Sequence, residues 1–238
     1  MFTDLTLFIK NHTSINLNFH KQILLENYQE DWINLFSKVI FNPLEDELKY
    51  KLNQHFVIPV TLSNQNILEI QIDIDKILYE LPRLNLPKIN IPTSRFIRNT
   101  PSNREQLYNN PNLIGYDIDY SFDIVNNSPI IVCRSDRLCH FVIDGNHRLD
   151  YSIRHGKSSV SAYILSSELL IATPHLFSDR LGYLLFCFLE DVALLRIALY
   201  EKQSRGLFGI LRTEASLLMK QSILPIVQKY IDDTSRQN

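Results

Sequence analysis

Only six of the 238 residues are glycine: Gly115, Gly145, Gly156, Gly182, Gly206 and Gly209. That is well under half the average usage of about 7%. Glycine is the residue that takes a positive φ at low cost. A chain so poor in it has few tight left-handed turns, and each glycine marks a place to look. Two of them, Gly145 and Gly156, stand eleven residues apart around a polar run. The scarcity, with ten prolines, excludes a flexible linker, a collagen or a Gly-rich low-complexity tract.

The rest of the composition is that of a globular chain. It is 45% hydrophobic and 21% charged, and its length suits one large domain or two small ones. A net charge of −2 does not build the whole molecule for nonspecific nucleic-acid binding. Cys133, Cys139 and Cys187 make neither a disulfide framework nor a zinc knuckle and read as buried thiols. The longest apolar run, Leu181 to Leu189, falls short of the roughly 20 residues of a membrane helix. Asp4 interrupts the first apolar run, so no signal peptide and a cytoplasmic location are expected.

Along the chain, residues 1–56 read as helical, with apolar residues at three- and four-residue spacing from Ile23 to Ile40 and a further short helix at Leu44–Leu52. Val57–Val60 and Ile67–Ile74 alternate as strands. Leu81 to Pro101 is rich in proline and reads as an irregular, extended segment. Arg83, Lys88, Arg95, Arg98 and Arg104 make it basic, either as a surface loop or as an anion-binding arm. Tyr116 to Asp123 reads as a strand with an acidic face. Residues 166–238 turn helical again: Leu181–Tyr200 is apolar nearly all round, as a buried helix is, a break is expected at Pro225, and the tail from Asp232 reads as frayed.

The informative unit is Pro129 to Leu165. Ile130–Arg134 and Leu138–Ile143 form a hairpin, Asp144-Gly145-Asn146-His147-Arg148 is a tight polar turn, and a short helix from Leu149 closes at Gly156 in the C′ position. Val160, Ala162 and Ile164 then alternate in a strand. A strand that enters a helix through glycine leaves the first helical N–H groups unpaired, which favours an anion. His147 and Arg148 beside those groups suit a phosphate, and Gly145 gives the ligand access to the backbone. Asp144 is placed to bind Mg²⁺ or to orient His147.

This segment resembles the ParB/sulfiredoxin superfamily. In its ParB-type members a P-I-x-V strand precedes a hairpin, a G-E-R-R-type motif opens a helix, and a second glycine follows the first by eleven residues. Pro129-Ile130-Ile131-Val132, Gly145, Gly156 and the pair His147-Arg148 stand at those positions. D-G-x-H-R turns occur in the free-serine-kinase branch. The resemblance implies an α+β fold, a small mixed sheet over 57–165 between helical parts at 1–56 and 166–238. It also implies a nucleotide site for CTP, ATP or ADP with Mg²⁺. Gly145, Asn146, His147 and Arg148 would bind the nucleotide, Asp144 the metal, and Asp144 and His147 would serve any catalysis. Leu81-Pro82-Arg83 is similar to the family's Pro-Arg element after its opening strand, which adds Arg83 as a phosphate ligand.

The chain departs from the family in three places. Tyr151-Ser152 replaces a small Ala pair, the turn lacks the sulfiredoxin cysteine, and no helix-turn-helix is evident after Ser166. The expected function is nucleotide-phosphate binding, with phosphoryl transfer or NTP hydrolysis if chemistry follows. The alternatives are a nucleotide-sensing or DNA-associated module without turnover, with a DNA or protein partner, and a Fic-like AMP transferase. For the last, His140, Asp144, Gly145, Asn146 and Arg148 match H-x-x-x-D-G-N-x-R, with His140 as the base.

Overall fold

The computed structural model describes residues 2–41, 54–118, 127–135, 139–204 and 213–235. The expected Leu44–Leu52 helix, Asp119, Asp123, Gly206 and Gly209 lie outside them. The chain divides into two compact units, one from Met1–Ile72 with Phe177–Asn238 and the other from Asp73–Leu176. The fold is α+β, as expected. The hairpin of β1 (His55–Thr61) and β2 (Ile67–Asp73) falls almost wholly in the unit made of the two chain ends, whereas the sequence reading drew the boundaries at 57 and 165.

The first unit is built round one helix. Helices α1 (Phe2–Asn16) and α2 (Gln22–Phe41) arise from the three- and four-residue periodicity, and α2 runs unbroken past the exposed Glu30 and Asp31. Its buried stripe is Leu25, Tyr28, Trp32, Leu35, Phe36 and Val39. The later helix (Arg180–Ser204) is apolar all round, as read, and every residue from Tyr183 to Ala193 is buried. Phe188 is its centre: Trp32 meets it edge-on at 5.5 Å and Phe36 and Phe8 at 6.2 Å. Two shorter helices, Glu214–Gln221 and Leu224–Ser235, pack on the same helix. The break between them falls at Ser222-Ile223, just before Pro225. The tail is not frayed at Asp232: the helix runs on to Ser235, and Asp232 accepts hydrogen bonds from Lys38 Nζ and Gln228 Nε2, both at 2.8 Å.

Within this unit a fully buried carboxylate joins the pieces. Asp191 Oδ2 accepts from the Tyr28 hydroxyl at 2.8 Å, Trp32 Nε1 at 3.3 Å and the Ser222 hydroxyl at 2.8 Å, and Oδ1 accepts from the Ile223 N–H at 2.8 Å. Burial raises the Asp191 pKa above the ordinary carboxylate value, and these four donors work against that rise.

The second unit holds a six-stranded mixed sheet in the order β3-β8-β6-β7-β5-β4. Its strands are β3 (Ile89–Pro92), β4 (Phe96–Arg98), β5 (Ile114–Tyr116), β6 (Ile130–Ser135), β7 (Cys139–Asp144) and β8 (Ser159–Ser166), with the short helix α4 (Arg104–Asn109) between β4 and β5 in the chain. The expected hairpin is the antiparallel pair β6–β7, and β8 lies parallel to β6. Ile130, Val132, Val142, Val160 and Ala162 share one face and pack with Leu149 and Ile153 of the helix that follows β7. By the two-residue alternation of a strand, Ile131, Cys133 and Leu165 turn to the other face, where they too are buried.

Three expectations are corrected here. The strand expected over Ile67–Ile74 stops one residue short, and the chain from there through Leu81-Pro82-Arg83 is helical. Asp73 ends β2 and its Oδ1 accepts from Lys76 N at 2.9 Å, which caps α3 (Ile74–Leu84). Ile74, Ile77, Leu81 and Leu84 then fall at helical spacing, and Pro82 and Arg83 sit in the last turn. Leu81–Pro101 is not irregular throughout: β3 pairs antiparallel with β8, and β4 pairs parallel with β5, at the two edges of the sheet. These strands are too short to show an alternation, and Pro92 is tolerated because β3 is an edge. β5 ends at Tyr116, so the expected acidic strand does not extend through Asp117 and Ile118.

Asp191→Ala leaves the Trp32 and Ile223 N–H groups buried without an acceptor, and we expect a loss of about 3 kcal/mol or more in urea unfolding. Because the native carboxyl holds its proton more tightly than the unfolded one, its contribution to stability falls as pH rises from the ordinary carboxylate value through the raised one. Asp191→Asn does not titrate. Its stability relative to wild type therefore increases as pH rises through that window, measured by unfolding at a series of pH values from about 4 to 7.

Candidate functional site

The turn after β7 folds as its sequence demands. Asp144 ends the strand opposite Ile131, at a register shift between Ile131 and Val132. Gly145 takes φ +90°, ψ +20°, and helix α5 (Asn146–Arg154) begins behind it with no side-chain cap. The first helical bond is Leu149 N to Gly145 O at 2.9 Å. The N–H groups of the first helical residues therefore have no partner within the helix. At the other end Gly156, at φ +67°, closes α5. Its N–H donates to Ile153 O and the Lys157 N–H donates to Ser152 O, both at 3.0 Å, which is the Schellman arrangement expected of a C′ glycine.

The five turn residues take different places. Arg148 folds back along the helix, and its Nη2 donates to Asp144 Oδ2 at 2.6 Å. The pair is largely shielded, with side-chain exposures of 17% and 21%. What Gly145 makes room for is this guanidinium: a Cβ there would lie 2.7 Å from Arg148 Nη2, 2.9 Å from its Nε and 2.8 Å from Ile130 Cγ2. Asn146 ties the turn to the end of β5, since its Oδ1 accepts from Asp117 N at 3.2 Å and its Nδ2 donates to Val142 O at 3.4 Å. His147 is half-buried on the first turn of α5.

Beside Arg148 lies a cavity of about 220 Å³ with a mixed polar and apolar lining. Its lining includes Arg148 and Ser152 from α5, Lys157 from the loop after it, Ser159 and Ser161 from β8, and Ser128 before β6. Of the five turn residues only Arg148 borders it, so the cavity lies on the flank of the helix and not at its N-terminus. Arg148 Nε is buried and makes no hydrogen bond among the described residues. A guanidinium has five N–H donors and no acceptor. Here one of them is engaged by Asp144, and the cavity wall adds a lysine ammonium and four serine hydroxyls without a carboxylate among its described members.

Other expected participants sit elsewhere. Arg83 is exposed, donates to Glu80 Oε1 at 3.1 Å and lies over the Tyr79 ring, and it is not among the residues lining the cavity. Two guanidinium groups of the basic arm donate to backbone carbonyls, Arg95 Nε to Asn112 O at 2.8 Å and Arg98 Nη2 to Ile118 O at 3.0 Å. His140 lies in strand β7, paired with Arg134 and Ile114, and is not among the residues lining the cavity. Asp144, expected to hold Mg²⁺, already accepts from Arg148. Among the described residues no group of three His, Cys, Asp or Glu side chains could hold a metal.

Lys157, Ser152, Ser159 and Ser161 were missed by sequence reasoning. The signal was the alternation of hydroxyl and apolar residues in Ser159-Val160-Ser161-Ala162, of which only the apolar half was used. No protein-family model, curated protein or solved structure significantly matches this chain.

The two capping glycines differ in a way that can be measured. An added Cβ at Gly156 meets nothing within 4 Å, so Gly156→Ala carries only the left-handed backbone cost of about 1–2 kcal/mol. Gly145→Ala carries the same cost and also displaces the Arg148 guanidinium. We expect it to be the more destabilising of the two in thermal or urea unfolding.

Proposed function

We propose that this protein binds the phosphate groups of a nucleotide in the cavity flanking α5. The observation that carries the reading is the Arg148 guanidinium. It is held in place by Asp144 and by the missing Cβ of Gly145, and it lines the cavity. Asp144 engages one of the five N–H donors of the guanidinium, and the positive charge at the cavity wall suits an anion. Lys157 supplies a second positive charge, and Ser152, Ser159 and Ser161 supply hydroxyls able to donate to phosphate oxygens.

Size supports a phosphate chain. At about 220 Å³ the cavity is smaller than the roughly 300–1,000 Å³ of sites that enclose a drug-sized ligand. It accommodates phosphates and leaves base and sugar outside. The described lining holds two cations, four hydroxyls and the Asn127 amide beside Ile130 and Val160, with no carboxylate or imidazole to act as a base on a nucleophile. The reading is therefore nucleotide binding without turnover, and it takes over from the ParB/sulfiredoxin resemblance only the chemistry of the ligand.

The test is calorimetric titration with pyrophosphate, ADP, ATP, CTP and GTP, with and without Mg²⁺. We expect saturable binding of pyrophosphate and of at least one nucleotide. Arg148→Ala and Lys157→Ala should each weaken it about tenfold or more, the scale of losing one charge-assisted hydrogen bond. No binding of any of these to the wild type at millimolar concentration would overturn the proposal.

A further inference from the structure

If the cavity takes only the phosphates, the base must lie on the surface next to it, and α5 offers a place. At 3.6 residues per turn, Arg148, Tyr151, Ser152 and His155 fall within about 100° of one another around the helix. Arg148 and Ser152 line the cavity at one end of this stripe, and Tyr151 and His155 continue it toward the C-terminus. The Tyr151 and His155 rings are stacked, with centroids 3.9 Å apart and planes 27° from parallel. His155 Nδ1 lies 2.8 Å from Tyr151 O, a contact that holds the imidazole against the helix when Nδ1 carries the proton. Lys157 lines the cavity and also places its Nζ 5.7 Å from the centre of the Tyr151 ring, so it joins the cavity to the aromatic pair. His155 is exposed.

We infer that the Tyr151–His155 pair is the platform on which the nucleotide base stacks, with Lys157 at the junction of base and phosphates. This rests on the phosphate reading above and deepens it. A rigid aromatic surface gives stacking energy with little ordering cost. Stacking tolerates any base because every base has a π-face. The platform therefore selects a nucleotide over a bare phosphate chain, and it distinguishes purine from pyrimidine weakly.

The measurement is the ratio of dissociation constants for pyrophosphate and for ADP, and the same ratio for CDP, obtained by calorimetry on the whole chain. In the wild type both nucleotides bind more tightly than pyrophosphate. His155→Ala lowers that advantage about five- to hundredfold, the range of alanine substitutions at base-stacking residues. His155→Phe, which keeps an aromatic face, restores it. Because the readout is a ratio within each variant, a general loss of stability does not imitate the effect. Nucleotides that bind no more tightly than pyrophosphate, or a ratio unmoved by His155→Ala, overturn the platform and leave the phosphate site standing. Failure of pyrophosphate and nucleotides alike to bind overturns both.

Discussion

The Arg148 guanidinium lying in the space of an absent Cβ is the contact on which the site depends. Asp144 ends a strand, Gly145 turns the chain left-handed, and one helical turn later Arg148 reaches back to the carboxylate it has just passed. Each part requires the others. A side chain at 145 would push the guanidinium away, and without Asp144 the cation would sit largely shielded with no counter-charge. In return the arrangement fixes a long and otherwise mobile side chain, which would normally lose about 2 kcal/mol of rotamer freedom on being held. A preorganised cation at a cavity wall binds an anion without that loss at the moment of binding.

Two buried polar groups show how differently the protein treats charge. Asp191 is fully enclosed and accepts four hydrogen bonds, from two residues of α2 and two at the junction of the last helices. All its donors are internal, and it acts as a structural clasp. Arg148 is less enclosed, engages Asp144 through one nitrogen and borders a cavity. Satisfied networks of the first kind rigidify a core.

The sequence was most readable where a local rule decides the geometry. Gly156 as a C′ residue, the β6–β7 hairpin, the alternation of Val160, Ala162 and Ile164, and the all-round apolar helix near Leu185 each follow from a single periodicity or cap. It was least readable where partners distant in the chain decide. β3 and β4 are short strands that exist because β8 and β5 offer edges to them. Asp73 looked like the next polar residue of an alternating strand, and its role as a helix cap turned Ile74–Leu84 the other way. In the site, the residue types of the turn were legible, but the direction Arg148 takes was not. That direction puts the guanidinium at a cavity on the flank of the helix, beside Lys157 and the serines of β8.

The clasp at Asp191 also bears on how the chain is made. Tyr28 and Asp191 are 163 residues apart, and the helices they join belong to opposite ends of the polypeptide. The sheet unit is continuous from Asp73 to Leu176 and has all its strands once that stretch has emerged. The N-terminal helices have no such closure. At synthesis rates of about 5–20 residues per second, Trp32 and Phe36 wait roughly ten to thirty seconds for the helix that will bury them. During that interval the nascent chain carries two large aromatic side chains without their core, a period in which a holding chaperone would have its natural substrate.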